Sequence, residues 1–124
     1  MIDWRAFSGY IGLTSIVIPE GVTEIDSSAF YGCTSLINVE IVGQIKEIEH
    51  HTFAECSSLE TISLPAGIKK VDEDAFKNCG KLKAIYVPAK KADYYVKRLP
   101  EHLQALVVEQ APVKKAKKPA AKKA

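Results

Sequence analysis

Residues 59–81 read LETISLPAGIKKVDEDAFKNCGK, and residues 13–35 carry nearly the same pattern in LTSIVIPEGVTEIDSSAFYGCTS. A looser copy fills residues 36–58 between them. Leucines, phenylalanines and cysteines therefore recur at one constant spacing, as Leu13, Leu36, Leu59 and Leu82, as Phe7, Phe30, Phe53 and Phe76, and as Cys33, Cys56 and Cys79. Because several apolar columns keep the same period, the sequence predicts a repeat architecture.

Each repeat begins with a segment that is typical of a half-buried strand. In residues 36–41 the pattern Leu-x-x-Val-x-Ile alternates apolar and polar residues at its end. Proline closes three such strands, and Val42-Gly43-Gln44 replaces Pro-x-Gly in the second. The rest of each repeat spaces its apolar residues three to five apart. We therefore expect a short helical or 3₁₀ return leg that points the phenylalanine inward.

Stacking of these units defines the predicted fold class. One unit cannot bury its apolar face alone, but stacked units place equivalent residues about 4.8 Å apart in continuous ladders. The prediction is a repeat solenoid, a fragment of a right-handed β-solenoid or horseshoe with short parallel strands and a helical cap at the C-terminal end.

The unit Leu-x-x-Ile-x-Ile-Pro-x-x-Val-x-x-Ile-x-x-x-Ala-Phe-x-x-Cys-x-x resembles that of the BspA-type leucine-rich repeat family. The likeness is close in residues 13–35 and 59–81, is looser in 36–58, where Thr52 replaces alanine, and extends over about residues 1–88. Members of that family are mostly bacterial or protozoan, are often exposed on the cell surface, and are implicated in adhesion to host or matrix proteins. The resemblance therefore implies a protein-binding role.

The N-terminal end begins in the middle of a unit, because residues 2–7 align with residues 25–30. The strand at 13–18 is then expected to have an open edge, through which two copies of the chain could pair. Trp4, which aligns with Ser27, is the side chain that could cover this end instead.

The C-terminal end is predicted to form a cap over about residues 88–110, completing a domain of residues 1–110. Residues 92–99 favour a helix with Tyr95 and Leu99 on one face. Residues 103–108 then repeat the strand pattern, although Leu103 comes two positions earlier than the period counted from Leu82 would place it.

Residues 111–124 differ in composition from everything before them. They hold six lysines and no acid, and we expect a disordered Lys/Ala/Pro tail. Subtracting those six from the 17 basic residues leaves 11 against 15 acidic ones, so residues 1–110 have a net charge of −4. The alternative function is therefore nucleic-acid association through the tail, in which lysines neutralise phosphates. The lysines concerned are Lys114, Lys115, Lys117, Lys118, Lys122 and Lys123.

No group of residues predicts catalysis, a cofactor or a metal site. The equally spaced cysteines lack the paired spacing of zinc ligands and are expected to stack as small buried hydrophobes. His50 and His51 occupy a slot that is polar in the neighbouring repeats, which predicts a solvated surface. No nucleophile elbow or phosphate-binding glycine loop occurs, so we expect a non-enzymatic protein.

The predicted function is a protein–protein interaction scaffold whose partner the sequence does not identify. Solenoids usually bind through the outward positions of their strands, since parallel strands form one continuous face. The candidate contacts are Val17, Asn38, Glu40, Thr61, Ser63 and Tyr86, beside Ser15 and Ala84 in the same strands.

The compartment is left open by the sequence. The first residues have neither the basic nor the apolar region of a signal peptide, and no segment holds the roughly 20 apolar residues of a membrane span. The chain as it stands is expected in the cytoplasm, and a chain from which a signal or an upstream region had been removed is expected at the cell surface.

Overall fold

The computed structural model describes residues 2–3 and 6–110. The strands are β1 (Ser15–Ile18), β2 (Asn38–Ile41), β3 (Glu47–Ile48), β4 (Thr61–Ser63), β5 (Lys70–Val71), β6 (Ala84–Val87) and β7 (Val107–Glu109). An α-helix, α1 (Ala92–Val96), and a 3₁₀ helix (Glu101–Leu106) lie between β6 and β7. None of the helices in this part of the chain is long and apolar enough to cross a membrane.

Five strands form one parallel sheet in the order β1-β2-β4-β6-β7. Its register follows the sequence repeat, because Ile16 pairs with Val39, Val39 with Ile62, and Ile62 with Ile85. Each partner stands one repeat further along the chain, so the period read from the sequence is the step from one strand to the next. The predicted solenoid of short parallel strands is confirmed.

A second, narrower parallel sheet lies on the return legs. It consists of β3 and β5, with Ile48 opposite Val71, and an isolated parallel bridge joins Ile2 to Ile25. These four apolar residues stand one repeat apart in the sequence, but a two-residue strand is too short for its alternation to be recognised. This second sheet was not predicted.

The return legs are successive turns and not regular helices. Hydrogen bonds of the i to i+3 kind recur, as from the Ala29 N–H to the Asp26 carbonyl and from the Tyr31 N–H to the Ser28 carbonyl. Ser28 and His51 have φ of 59°, and a left-handed residue cannot continue a right-handed helix. The predicted helical or 3₁₀ leg is therefore replaced by turns, although Phe30 and Phe53 point inward as expected.

The phenylalanines and cysteines hold neighbouring repeats together. Phe7, Phe30, Phe53 and Phe76 form a continuous stack, with ring centroids 5.1–5.5 Å apart. The thiol of each cysteine donates to the carbonyl of the phenylalanine in the preceding repeat, at 3.1 Å for Cys33, 3.3 Å for Cys56 and 3.1 Å for Cys79. Cys33 and Cys56 are fully buried, which confirms the prediction of structural packing for these two.

The cysteine environment disfavours thiolate chemistry at two of these positions. The hydrogen bond with Cys33, followed by burial, raises the pKa of the Cys56 thiol far above its ordinary value. Burial raises the pKa of Cys79 to about 11. The thiolate is the reactive form of cysteine, and a raised pKa keeps the thiol protonated at neutral pH. Cys56 and Cys79 therefore act as packing groups.

The cap differs from its prediction in two respects. The helix ends at Val96 instead of Leu99, and a 3₁₀ helix follows Pro100. The last strand pairs Val107 with Ile85, whereas the alignment of Leu103 with Leu82 would have placed Val107 opposite Tyr86. Leu103 is buried within the 3₁₀ helix, so its likeness to the repeat leucines was misleading. Tyr95 and Leu99, predicted to share one face of the helix, are both buried, although Leu99 lies beyond the end of α1.

Candidate protein-binding face

The outward positions of the main sheet form two rows across the strands. The register aligns Ser15, Asn38, Thr61 and Ala84 in one row. It aligns Val17, Glu40, Ser63, Tyr86 and Val108 in the other. All six predicted contacts therefore lie on one face, in two adjacent rows.

Exposure divides these positions into available and covered ones. Val17 is 58% exposed, and Asn38 and Glu40 are also exposed. Thr61, Ser63 and Tyr86 are half-buried. Ala84 is an outward position by register but is only 8% exposed, so it is covered and not available to a ligand. The row that begins with Ser15 therefore offers three accessible positions.

Hydrogen bonds within the face hold its polar side chains. The Thr61 hydroxyl donates to Oδ1 of Asn38 at 2.7 Å, between neighbouring strands. The side-chain amide of Gln110, just beyond β7, donates to the Ser63 hydroxyl at 3.2 Å. Just before β4 and β6, Nζ of Lys83 lies 3.3 Å from Oε1 of Glu60. A ligand on this face would thus meet polar groups that are already oriented, which reduces the entropy lost on binding.

Several exposed apolar side chains near this face were not among the predicted contacts. Val108 is 43% exposed and extends the row of Tyr86, but the wrong register in the cap had assigned it to the core. Ile37 and Val42 flank β2 and are 44% and 38% exposed. The exposure of Val42 could have been read from the alternation of β2, since residues 38, 40 and 42 share a side. Apolar groups therefore occur at both ends of the face.

The first strand is the edge of the main sheet in the described part of the chain. Strand β1 pairs only with β2, so its other side has no strand neighbour among residues 2–3 and 6–110. Tyr10 and Ile11, which precede β1, are 53% and 67% exposed. This agrees with the predicted open edge, while Trp4 lies outside the described residues.

On the return legs, two histidines and an aspartate come together. One ligand atom from each of His50, His51 and Asp74 lies within 4.8 Å of the others. His50 is exposed, as predicted, and His51 is half-buried. Sequence reasoning missed the neighbouring carboxylate, although His51 and Asp74 are one repeat apart.

The six lysines predicted to contact nucleic acid lie outside the described residues. They are Lys114, Lys115, Lys117, Lys118, Lys122 and Lys123. Their role stays a prediction.

Comparisons with known proteins agree with this architecture. The family model for the BspA type leucine rich repeat region matches residues 1–96, in six copies. A crystal structure of a leucine rich cell surface protein from Faecalibacterium prausnitzii A2-165 is similar, with 35% sequence identity and a TM-score of 0.65. The match covers 68% of this chain but only 22% of that one. A search of curated proteins gave no match.

Proposed function

We propose that this chain, which belongs to the BspA-type leucine-rich repeat family, is a non-enzymatic module that binds another protein through the outward face of its main sheet. The observation that carries the proposal is the in-register row of Val17, Glu40, Ser63 and Tyr86 across four parallel strands. A face of this kind presents side chains from successive repeats to one ligand.

The composition of the face suits a protein ligand. An interface core is typically apolar and rich in aromatic residues, with polar groups at its rim. Tyr86 and Val108 supply an apolar area at one end, and Val17 and Val42 supply one at the other. The polar residues between them favour a partner with two apolar contacts separated by hydrogen-bonding groups.

The similar protein from Faecalibacterium prausnitzii is described as a cell surface protein. By analogy, we propose that the partner of this chain is a protein met at a cell surface, in an adhesion-like role. This chain spans only about a fifth of that protein, so the analogy extends to the repeat region alone.

The proposal is tested by capture on the immobilised full chain, with host-cell surface extract and bacterial extract assayed separately. We expect a protein retained by the wild type to be lost by Tyr86→Ala combined with Glu40→Ala, since both changes remove side chains from one row. Loss of an interface anchor costs about 2 kcal/mol or more, which is roughly a thirtyfold drop in affinity.

The matched control places two changes on the opposite side of the molecule. Lys46 and Lys70 are exposed on the return legs, and Lys46→Ala with Lys70→Ala should leave capture unchanged. A protein that is lost by this control and kept by the face variant would exclude the sheet face as the binding site.

The second candidate function rests on the charge contrast between the tail and residues 1–110. Six lysines on an acidic body could bind DNA or RNA without sequence preference. Replacing all six by glutamine should abolish binding to a DNA duplex, and wild-type affinity should fall steeply as salt is raised. Wild-type affinity that does not change with salt would reject this function.

A second copy of the chain is a further partner to consider, because β1 has an open edge among the described residues. Sedimentation equilibrium of the full chain across a concentration series tests this directly. Self-association through the edge predicts a mass that rises with concentration, and a constant monomer mass would contradict it.

A further inference from the structure

The return legs bring two imidazoles and a carboxylate together across a repeat boundary. His50 and His51 are adjacent in the repeat of residues 36–58, and their ring centroids lie 3.7 Å apart. Asp74 occupies the position of His51 in the next repeat. Stacking of the two repeats therefore places His51 and Asp74 side by side. One ligand atom from each of the three residues lies within 4.8 Å of the others.

We propose that His50, His51 and Asp74 form a binding site for a divalent transition-metal ion with the ligand preferences of Zn²⁺. Such an ion binds imidazole nitrogen at about 2.0–2.1 Å, so in a tetrahedral site the ligand atoms stand about 3.3 Å apart. Because the three ligand atoms all lie within 4.8 Å of one another, reaching that spacing shortens each distance by about 1.5 Å at most. None of the three residues is buried, so this movement meets little resistance and water can fill the remaining position.

Asp72 is the positioning residue for this site. Its Oδ1 atom lies 3.7 Å from Nδ1 of His50 and also accepts the backbone N–H of Asp74 at 2.9 Å. The Asp72 carboxylate therefore contacts the ring of His50 and the backbone of Asp74, two of the three proposed ligands. Histidines that bind metals almost always have such a partner, which fixes the ring and increases its basicity.

The ligand set selects among cations. Two of the three ligands are imidazole nitrogens, which suit zinc, nickel and copper, whereas Mg²⁺ and Ca²⁺ prefer oxygen. The preceding repeat has Ser27 and Ser28 in the places of the two histidines. The site is therefore specific to the junction between residues 36–58 and 59–81.

The test is calorimetric titration of the reduced full chain with ZnCl₂ at neutral pH, repeated with MgCl₂. We expect one Zn²⁺ per chain and no Mg²⁺ binding at the same concentrations. His51→Asn and Asp74→Asn should each weaken Zn²⁺ binding at least tenfold, and Asp72→Asn should weaken it by about 10–100-fold. Asparagine is chosen at position 51 because it tolerates the φ of 59° found there.

Two controls separate this site from other groups that bind zinc. His102 is exposed in the cap, and His102→Ala should keep the wild-type affinity. Cys79→Ser should also keep it, since the thiol is not among the proposed ligands. Zn²⁺ should raise the thermal midpoint of the wild type but not that of His51→Asn. The proposal is overturned if the wild type does not bind one Zn²⁺, or if His51→Asn and Asp74→Asn bind like the wild type.

Discussion

The backbone conformation of a residue in this molecule is set by its position in the repeat. Gly9, Gly32, Glu55 and Asn78 occupy the same position in successive repeats, and all have positive φ, between 62° and 73°. The backbone of the repeat thus requires a left-handed residue there, whichever side chain is present. Glycine and asparagine adopt this conformation readily, and glutamate does not.

Gly43 explains the departure of the second repeat from the Pro-x-Gly pattern. A Cβ atom on Gly43 would lie 2.8 Å from the carbonyl oxygen of Pro19 and still closer to that of Val22. Both oxygens belong to the backbone of the preceding repeat, so neither can move without shifting the stack. The close approach between repeats requires glycine at this position.

We therefore expect Gly43→Ala to lower the free energy of unfolding by about 1–3 kcal/mol or more, because the added methyl group overpacks a backbone contact. Urea denaturation measures the change. Gly80→Ala is the control, since its Cβ would meet nothing within 4 Å, and it should change stability by less than about 0.5 kcal/mol. Equal effects of the two substitutions would contradict the close approach.

At the repeat position with positive φ, introducing glycine should increase stability instead of lowering it. Glu55→Gly should raise the free energy of unfolding by about 1 kcal/mol, because it relieves a conformation that costs a side chain about that much. It also removes the 2.6 Å hydrogen bond from Asn78 to Glu55, which is exposed and contributes little. Gly32→Ala should lower stability by a similar amount, as denaturation can measure. Destabilisation by Glu55→Gly would refute this reading of the column.

At the scale of the element, Tyr95 attaches the cap to the solenoid. Its ring is fully buried, and its hydroxyl donates to the Pro65 carbonyl and accepts the Ile68 N–H. The neighbouring Tyr94 donates to the Ile68 carbonyl at 3.0 Å. Helix α1 has only five residues, so its position depends on these contacts and not on helical stability of its own.

Tyr95→Phe should lower the free energy of unfolding by about 1–3 kcal/mol, because two backbone groups then lose a hydrogen-bond partner in the core. Thermal or urea unfolding at neutral pH measures this. Tyr10→Phe, at an exposed ring, is the matched control and should have little effect. A cap that unfolds identically in both variants would show that the hydroxyl does not attach it.

The same residue predicts a dependence on alkaline pH. Burial raises the pKa of Tyr95 in the folded chain, whereas in the unfolded chain the phenol ionises near its usual value of about 10. The folded state then holds the proton more tightly, so stability is full below pH about 10 and falls as pH rises above it. Unfolding measured on both sides of that pH should therefore show a steeper decline in the wild type than in Tyr95→Phe. Equal slopes would contradict this assignment.

Elements whose apolar pattern recurs in every repeat could be predicted from the sequence. Elements whose pattern occurs only once could not. Strands β1, β2, β4 and β6 and their register follow from columns such as Ile16 and Val39, which every repeat restates. The cap occurs once, so the match of Leu103 to Leu82 had no second copy to correct it, and the predicted pairing of the last strand was wrong. The return legs are predicted as short helical or 3₁₀ segments, because the spacing of their apolar residues does not reveal a left-handed residue such as Ser28.

At the scale of the whole molecule, the candidate face was predictable and its accessibility was not. Alternation and period place Val17, Glu40 and Tyr86 on one side, but the burial of Ala84 depends on packing that no single strand encodes. The histidine and aspartate cluster was missed for a related reason. His51 and Asp74 look distant along the chain and become neighbours only through stacking.

Binding of a protein by the outward face of the main sheet is the proposal on which the function of this chain rests. The most direct measurement is hydroxyl-radical footprinting of the full chain, free and in complex with the protein that it captures. We expect reduced labelling of Tyr86, Val17 and Val108 in the complex, with unchanged labelling of His50 on the return legs. Protection confined to the return legs or to residues 111–124, with Tyr86 labelled as in the free chain, would contradict it.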